Sequence, residues 1–250
     1  MAVSTVMRST LAVAVARSLA VAPARRYPSA SSSHIPLAHA LWADVLRPGD
    51  TAVDCTCGNG ADSAVLAARV FEGGDGRGAV LCVDVQARAI AATAARLAEQ
   101  FAPAPLPRGV RLRLGSHVGF NELAPRSARL FVWNLGYLPG LDRDRGVTTL
   151  AEGTVASLRA AAPRLAAGGL LSVTCYPGHA EGAREAAAVR AELATWSASE
   201  WVVFEHAQLT LARAGKAAPT LITAYRRDQP HVRRADEAEA AARSKARLEL

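Results

Sequence analysis

The chain has 250 residues, of which 29 are Lys or Arg and 22 are Asp or Glu, while 50% are hydrophobic and only 5% are aromatic. This composition excludes a disordered or collagen-like polymer and allows one domain of roughly 200 residues with short extensions. No apolar run reaches the roughly 18 residues that a membrane-spanning helix needs, so we do not expect the chain to be a membrane protein.

The net charge is +7 and the pI is near 9.8, and the charge is unevenly distributed along the chain. Residues 1–33 carry four Arg and no acid, residues 226–250 carry seven basic and five acidic residues, and residues 34–225 carry 18 and 17. The excess is therefore +4, +2 and +1 in these three segments. A nucleic-acid surface on the central segment would depend on local arginine clusters. Two such clusters are Arg108, Arg111 and Arg113, and Arg143 with Arg145.

The first segment, residues 1–33, is rich in Ala, Ser and Arg. This is the composition of an organelle transit peptide, and it predicts import into the chloroplast, with the mitochondrion as the alternative. An ordinary first helix or a disordered tail would also fit the composition. At the other end, residues 227–250 alternate charge with Ala and predict a solvated tail that the chemistry does not need.

Between these ends, short apolar runs alternate with Ala-rich segments of helical length, which is typical of βαβ units. We therefore predict one doubly wound, mainly parallel α/β domain with seven strands over residues 34–226. The predicted strands are Thr51–Cys55, Gly78–Val83, Val110–Leu114, Ala128–Trp133, Gly169–Cys175, Trp201–His206 and Thr220–Tyr225. The predicted helices are Leu37–Leu46, Ala61–Val70, Ala87–Phe101, Thr149–Leu165 and Gly182–Ala194.

All four cysteines, Cys55, Cys57, Cys82 and Cys175, fall in or beside apolar, strand-like stretches. Cysteine in such a place commonly behaves as a small buried hydrophobe, which favours a reducing compartment over a disulfide scaffold. Paired C-x-x-C spacing is absent, so we expect no zinc site.

The first predicted strand ends at Asp54 and leads through Cys-Thr-Cys-Gly-Asn-Gly into a helix. Gly58 and Gly60 permit positive φ and a close approach of the backbone, so a ligand can lie against main-chain amides at the helix N-terminus. A dinucleotide-binding fingerprint would want a third glycine near Ser63, where none is present. Asp54 at the strand end can meet a cationic group, such as the amino group of S-adenosylmethionine (SAM).

The second predicted strand runs into Asp84, which is followed by Val and Gln86. An acid at this position can accept hydrogen bonds from both ribose hydroxyls of a nucleoside. Asp84 lies 30 residues after Asp54, whereas the usual fingerprint has a spacing of about 20. The glycine-rich segment 71–78 accounts for the excess. A cap on the following helix is the alternative role of Asp84.

Three later strands are also followed by polar turns. Residues 131–140 read Phe-Val-Trp-Asn-Leu-Gly-Tyr-Leu-Pro-Gly, which resembles the Asn-Pro-Pro-Tyr turn of methyltransferases acting on amino nitrogens. In those enzymes the Asn side chain accepts a hydrogen bond from the target amine and the aromatic ring stacks on the base. Residues 175–179 read Cys-Tyr-Pro-Gly-His, in which His179 could relay a proton or make only a structural hydrogen bond. Ser116 and His117 follow the third strand, where such enzymes contact adenine, although an ST turn is the plain alternative.

Together these motifs resemble the family long labelled putative rRNA methylases, which includes the bacterial group called YtqB or MnmM. The similarity runs from about Ile35 to Arg226, and the Asn-Leu-Gly-Tyr-Leu-Pro-Gly and Tyr-Pro-Gly-His strings are its specific parts. Membership implies a SAM-dependent, Rossmann-like class I methyltransferase that acts on tRNA. Its target would be the 5-aminomethyl group of 2-thiouridine at the wobble position.

The resemblance also implies a site, residue by residue. The cofactor-binding set would be Asp54, Gly58, Asn59, Gly60, Asp62, Asp84, Gln86, Ser116, His117, Asn134, Leu135 and Gly136. The catalytic residues would be Asn134, Tyr137 and His179, and the substrate-binding residues Tyr137, Tyr176 and His179. The chain departs from the commoner family pattern at Ala61, where His is frequent, at Leu141, where a second glycine is usual, and in the enlarged segment 71–78.

Methyl transfer from a sulfonium is an in-line displacement that needs an unprotonated nucleophile about 3 to 3.5 Å from the methyl carbon. We expect Asn134 to orient the amine and His179 to accept the released proton. The sequence leaves open methylation of rRNA or of a small molecule, an NAD-dependent oxidoreductase and a non-catalytic RNA-binding protein. The missing third glycine disfavours NAD, and the intact run 134–137 disfavours the binding protein. The oligomeric state, a homodimer included, also stays open.

Overall fold

The computed structural model describes residues 34–73, 77–124, 126–136, 150–208 and 218–228. Several sequence predictions fall outside these residues. They concern the leader, nearly all of the tail, Tyr137, Leu141, Arg143 and Arg145. Within the described ranges, no helix combines the length and the apolar character needed to cross a membrane.

Within the residues that the structure describes, seven strands form one sheet. They are β1 (Thr51–Asp54), β2 (Ala79–Asp84), β3 (Val110–Leu114), β4 (Ala128–Asn134), β5 (Leu165–Cys175), β6 (Trp201–Ala207) and β7 (Thr220–Arg226). Their order across the sheet is β3-β2-β1-β4-β5-β7-β6. The first five pair in parallel, whereas β7 is antiparallel to both β5 and β6. The predicted seven-stranded, mainly parallel sheet is confirmed.

Five α-helices accompany the described strands, one before β1 and four between successive strands. They are α1 (His34–Val45), α2 (Ala61–Val70), α3 (Ala87–Phe101), α4 (Ala151–Ala161) and α5 (Ala180–Ala194). Helices α2 and α3 have the predicted bounds. Helix α1 begins at His34 and not at Leu37, because Pro36 lies in the first turn, where its missing N–H has no intrahelical partner to lose.

The prediction for α4 was wrong at its C-terminal end. The helix ends at Ala161, a short 3-10 turn covers Ala162–Arg164, and β5 already begins at Leu165. Pro163 cannot donate the hydrogen bond that would continue the helix. The sequence placed the start of β5 at Gly169 because a glycine pair usually marks a turn, but here Gly168, with φ +68°, lies within the strand.

Alternate residues along the central strands supply two cores, one on each face of the sheet. On one face Val53, Phe131 and Trp133 pack with side chains of α4 and α5, such as Leu158 and Val189. On the other face Ala52, Val80, Leu130 and Val132 pack with Trp42 of α1 and with Leu66 and Leu97 of α2 and α3. This period of two, with both faces apolar, is what a parallel sheet covered by helices requires.

The strand order reverses between β1 and β4. From β1 the chain proceeds outward through β2 and β3, and it then returns to place β4 and β5 on the other side. Ligands of open α/β sheets bind at the carboxyl ends of the strands beside such a reversal. Asp54, Asp84, Asn134 and Cys175 end their strands on this edge, so the motifs of the sequence converge there.

Candidate active site

Hydrogen bonds to Asp84 and to Thr93 of α3 hold the turn between β1 and α2 in place. Gly58 and Gly60 have φ values of +53° and +79°. The Gly58 N–H donates to Asp84 Oδ2 at 3.0 Å, and its carbonyl accepts from Thr93 Oγ1 of α3 at 3.1 Å. A Cβ on Gly60 would lie 2.8 Å from the Thr93 Cα. Both the backbone conformation and the packing at position 60 therefore require glycine.

The two strand-end acids occupy different environments. Asp54 is buried and accepts hydrogen bonds from Ser63 Oγ at 2.6 Å and from the Thr56 N–H at 3.2 Å. Burial, followed by the charge of Asp62, raises the pKa of Asp54 to about 7. Asp84 instead faces the cavity that the turn borders, where its Oδ1 accepts from the Gln86 N–H at 2.9 Å. Asp54 thus supports the turn from behind, whereas Asp84 is placed for contact with a ligand.

Asn134 is fixed in both its main chain and its side chain. Its N–H donates to Thr56 Oγ1 at 2.7 Å, and its Nδ2 donates to Oδ2 of Asp62 in the first turn of α2. The other carboxylate oxygen, Asp62 Oδ1, lies 2.7 Å from Nε2 of His39 on α1. The next N–H, of Leu135, donates to the Thr174 carbonyl at 2.9 Å. The carboxamide therefore has a defined orientation at the reversal point of the sheet.

Tyr176 and His179 form the wall that follows β5. The hydroxyl of Tyr176 lies 2.9 Å from Nε2 of His34, and burial, followed by the charge of Asp62, raises the pKa of Tyr176 to about 12. His179 is the N-cap of α5, where its Nδ1 accepts from the Gly182 N–H at 3.1 Å. Neutral histidine carries one ring proton, so in this arrangement the proton resides on Nε2.

This geometry disfavours the role expected for His179 as proton acceptor. Nε2 already carries a proton, and protonation of Nδ1 would remove the acceptor of the helix cap.

Ser116 and His117 close the cavity on the side of β3. Ser116 Oγ accepts from the Val118 N–H at 3.2 Å, which is the ST-type contact that the sequence left as the alternative. The ring of His117 lines the cavity, and burial lowers its pKa. Its main-chain carbonyl accepts from Ser157 Oγ of α4 at 2.8 Å. His117 is therefore held in place between β3 and α4.

These elements enclose a cavity of about 690 Å³, which we call the active-site cavity. Of the predicted site residues, those that line it are Gly58, Asn59, Asp62, Asp84, Gln86, Ser116, His117, Asn134, Leu135, Gly136, Tyr176 and His179. Asp54 and Gly60 lie behind it. The sequence missed Ile35, His39, Val85 and Leu150 as lining residues. No local pattern connects α1 or Leu150 with the strand ends, and Val85, although it follows β2, is an apolar residue without a polar signal for a ligand.

The cavity suits a nucleoside-containing cofactor. A glycine turn offers main-chain atoms at the start of α2, and Asp84 offers a carboxylate beside it. The exposed side chain of Val85 adds an apolar surface for a base. Covalent catalysis by cysteine is disfavoured, because burial raises the pKa of the Cys55 and Cys57 thiols well above the usual range. The site is therefore suited to act by binding and orienting its ligands, without a cysteine nucleophile.

Comparison with known proteins supports the assignment of the active-site cavity to a nucleoside-containing cofactor. Residues 80–224 match the family model described as "Putative rRNA methylase". The chain is 33% identical, over 195 residues, to the chloroplastic tRNA (mnm5s2U34)-methyltransferase of Arabidopsis thaliana, with 77% of this chain and 69% of that protein aligned.

Two solved structures share the fold over most of the chain. One, from Clostridium thermocellum and described as a "putative rRNA-methylase", has a TM-score of 0.70 and 28% identity, and covers 79% of this chain and 100% of its own. The other, from Streptococcus mutans and described as "a putative methyltransferase", was solved in complex with SAH. Its TM-score is 0.64 and its identity 25%, with 78% of this chain and 98% of its own covered.

Proposed function

The chain belongs to the rRNA methylase family and is a SAM-dependent methyltransferase, and from that premise we propose that it methylates the amino group of 5-aminomethyl-2-thiouridine at the tRNA wobble position. The observation that carries the proposal is the orientation of Asn134. Because its Nδ2 is directed to Asp62, its Oδ1 remains to accept a hydrogen bond from an amine. The Arabidopsis relative that acts on this wobble uridine supports tRNA as the substrate.

SAM supplies a methyl group bound to a positively charged sulfur. We propose that the glycine turn holds it, with Asp84 accepting from the ribose hydroxyls and Ser116 and His117 beside the base. The wider proposed set is Gly58, Asn59, Gly60, Gln86, Leu135 and Gly136, together with the main chain of Asn134, which a change of its side chain leaves in place. Asp54 would act through the turn, since it is buried behind the cavity, where its carboxylate accepts from Ser63 and Thr56.

The target amine must lose its proton before it can attack. In water a primary aminomethyl group is largely protonated at neutral pH, and burial favours the neutral form of such a group. Two titratable side chains of the cavity wall show this effect, because burial lowers the pKa of His117 and raises that of Tyr176. Both shifts favour the uncharged forms. Burial in the same cavity, beside the positively charged sulfur of SAM, would favour the neutral amine, which Asn134 then holds for attack.

The substrate side of the cavity would be formed by Tyr176 and His179, while a substrate contact by Tyr137, which lies outside the described residues, stays a prediction from the resemblance. Tyr176 is suited to stacking on the base, and His179, which lines the same cavity, would contact one of its polar atoms. The family description names rRNA, whereas the Arabidopsis relative, whose target nucleoside is named, acts on tRNA. Asn134 in the wall of the cavity suits an exocyclic amine, which the proposed wobble nucleoside offers.

The decisive experiment compares Asn134→Ala with Asn121→Ala, a control at an exposed position. We expect Asn134→Ala to lower the rate of methyl transfer to undermethylated tRNA by about 100-fold or more, because the amine loses its orienting acceptor. Binding of SAM, measured by calorimetry, should be largely preserved. Near-normal turnover in Asn134→Ala would remove Asn134 from the mechanism.

Mass spectrometry of nucleosides identifies the substrate. Cells lacking the protein should accumulate 5-aminomethyl-2-thiouridine in organelle tRNA, and the purified protein should convert it to the methylated form. Loss of a methylated nucleoside from rRNA, with tRNA unchanged, would replace the tRNA proposal by the rRNA alternative.

We also propose that residues 1–33 direct the protein to the chloroplast. The segment carries four Arg and no acidic residue, and the Arabidopsis relative is described as chloroplastic. A fluorescent fusion of the full chain should enter plastids, and removal of residues 1–33 should leave the fusion in the cytosol. Accumulation in mitochondria would favour the alternative organelle.

A further inference from the structure

Asp62 lies at the centre of the polar side chains that surround the target site. It is the second residue of α2, its side chain is 16% exposed, and it lines the active-site cavity. A negative charge at this end of a helix is favoured by the helix dipole. Its two oxygens face different elements, Oδ1 facing His39 of α1 and Oδ2 facing Asn134 at the end of β4. Asp62 therefore connects three elements at one point.

The chemistry of a carboxylate determines how its two neighbours are oriented. An ionised carboxylate has acceptor atoms only, so both neighbours must donate to it. Asn134 must present its NH₂ group, and His39 must carry a proton on Nε2. This resolves which way the Asn134 carboxamide faces, a choice that the carboxamide shape alone leaves open.

The main chain at Asn134 allows little other freedom. The Asn134 N–H is bound to Thr56 Oγ1 at 2.7 Å, and the Leu135 N–H to the Thr174 carbonyl at 2.9 Å. Rotation of the side chain is then the remaining way to misplace Oδ1. The bond to Asp62 opposes that rotation.

We propose that Asp62, hydrogen-bonded to His39, is a positioning residue that directs Oδ1 of Asn134 toward the amine that receives the methyl group. This inference rests on the proposed function, and it replaces the role of cofactor contact that the resemblance implied for Asp62. His39 supports the same arrangement from α1, which adds a residue that the family motifs do not contain.

The first test is Asp62→Asn. The new carboxamide can present either a donor or an acceptor to Asn134, so it no longer selects one orientation. We expect kcat to fall by about 100-fold while the Kd of SAM stays within about twofold and the melting temperature is little changed. Glu72→Gln is the matched control. It removes a carboxylate just beyond the end of α2 that pairs with Arg69 on the surface, and it should leave kcat unchanged.

The second test distinguishes positioning from a general structural role. In His39→Gln, the new side-chain amide keeps an N–H donor for Asp62, whereas in His39→Ala the donor is lost. We expect His39→Ala to lower kcat by about 10-fold and His39→Gln to restore most of the loss. His206→Gln, on the edge strand β6, controls for the loss of a histidine.

The outcomes are distinct. If the wild-type protein binds SAM but does not methylate tRNA containing the aminomethyl nucleoside, the proposed function fails and this inference fails with it. If the wild-type protein is active and Asp62→Asn is equally active, only the inference is overturned. If Asp62→Asn weakens SAM binding by the same factor as it lowers kcat/KM, Asp62 is a cofactor contact and the positioning role is wrong.

Discussion

Asp54 should make the protein less stable as the pH rises toward neutrality, which is opposite to the effect of most carboxylates. Its side chain is 2% exposed, and burial, followed by the charge of Asp62, raises its pKa from the ordinary 3.8 to about 7. The folded protein therefore holds a proton on Asp54 over a pH range in which the unfolded chain has lost it.

The sign and size of the effect follow from this difference in proton binding. Stability falls with rising pH wherever the folded state binds more protons than the unfolded state. The contribution of Asp54 is fully present below pH 3.8 and is lost as the pH rises to about 7. The difference between these two pKa values corresponds to at most about 4 kcal/mol in the free energy of unfolding.

The substitution Asp54→Asn tests this reasoning. The Asn side chain can still accept from the Thr56 N–H, and its NH₂ can donate to Ser63 Oγ, whose hydroxyl can rotate. We expect the variant to be more stable than the wild type by about 2 to 4 kcal/mol at pH 8, and the two to converge near pH 4.

Urea unfolding at a series of pH values measures both quantities. Asp50→Asn, a partly exposed acid at the opposite end of β1, serves as the control. A variant that is less stable than the wild type at pH 8, or a difference that stays constant between pH 4 and pH 8, would refute the argument.

Two further predictions concern the glycine turn and its acid. Gly60→Ala should lower the free energy of unfolding by about 2 to 4 kcal/mol, because the new Cβ would lie 2.8 Å from the Thr93 Cα at φ +79°. Gly73→Ala has a similar φ of +89° in open space, so equal losses in urea unfolding of the two variants would exclude the packing contribution. Asp84→Ala should weaken SAM binding by about 10- to 100-fold in calorimetry, since the ribose and the Gly58 N–H both lose an acceptor. Unchanged affinity would remove Asp84 from the cofactor site.

Much of the fold was predictable because its signals are local. Apolar runs of strand length, helical segments between them and polar residues at the strand ends are each visible within a few residues of sequence. Since the carboxyl ends of parallel strands share one edge, the convergence of Asp84, Asn134 and Tyr176 follows from the strand assignment. The early start of β5 at Leu165 was missed because the glycine pair 168–169 has the local signal of a turn, and only pairing with β4 overrides it.

The contacts between the motifs were not predictable in the same way. His39 and Asp62 are 23 residues apart, and Asn134 is 72 residues beyond Asp62. His39 is one histidine on a helix outside the strand-end motifs, so nothing local relates it to Asn134. The same reasoning applies to Asp54. A strand-end acid is a signal for a ligand contact, but only the packing of Ser63 against it shows that the carboxylate supports the turn.

The charge of the protein bears on how it would bind RNA. The central segment has a charge of only +1, and several of its arginines are engaged with acids. Arg159 and Arg190 form ion pairs with Glu192 and Glu205, both at 2.7 Å. Such surface pairs add little stability, but they reduce the field available to phosphate.

The arginine cluster predicted at β3 is likewise only partly available to phosphate. Arg113 binds Glu122 and the carbonyl of Ser116, whereas Arg108 and Arg111 are exposed on the edge of the sheet. Few phosphate contacts would give weak salt dependence, since the dependence grows with the number of phosphates neutralised. Under the proposed function, recognition by the described part of the chain would then come mainly from the cavity itself, where Asn134 would meet the target amine. Selectivity for the modified base would therefore exceed general affinity for RNA.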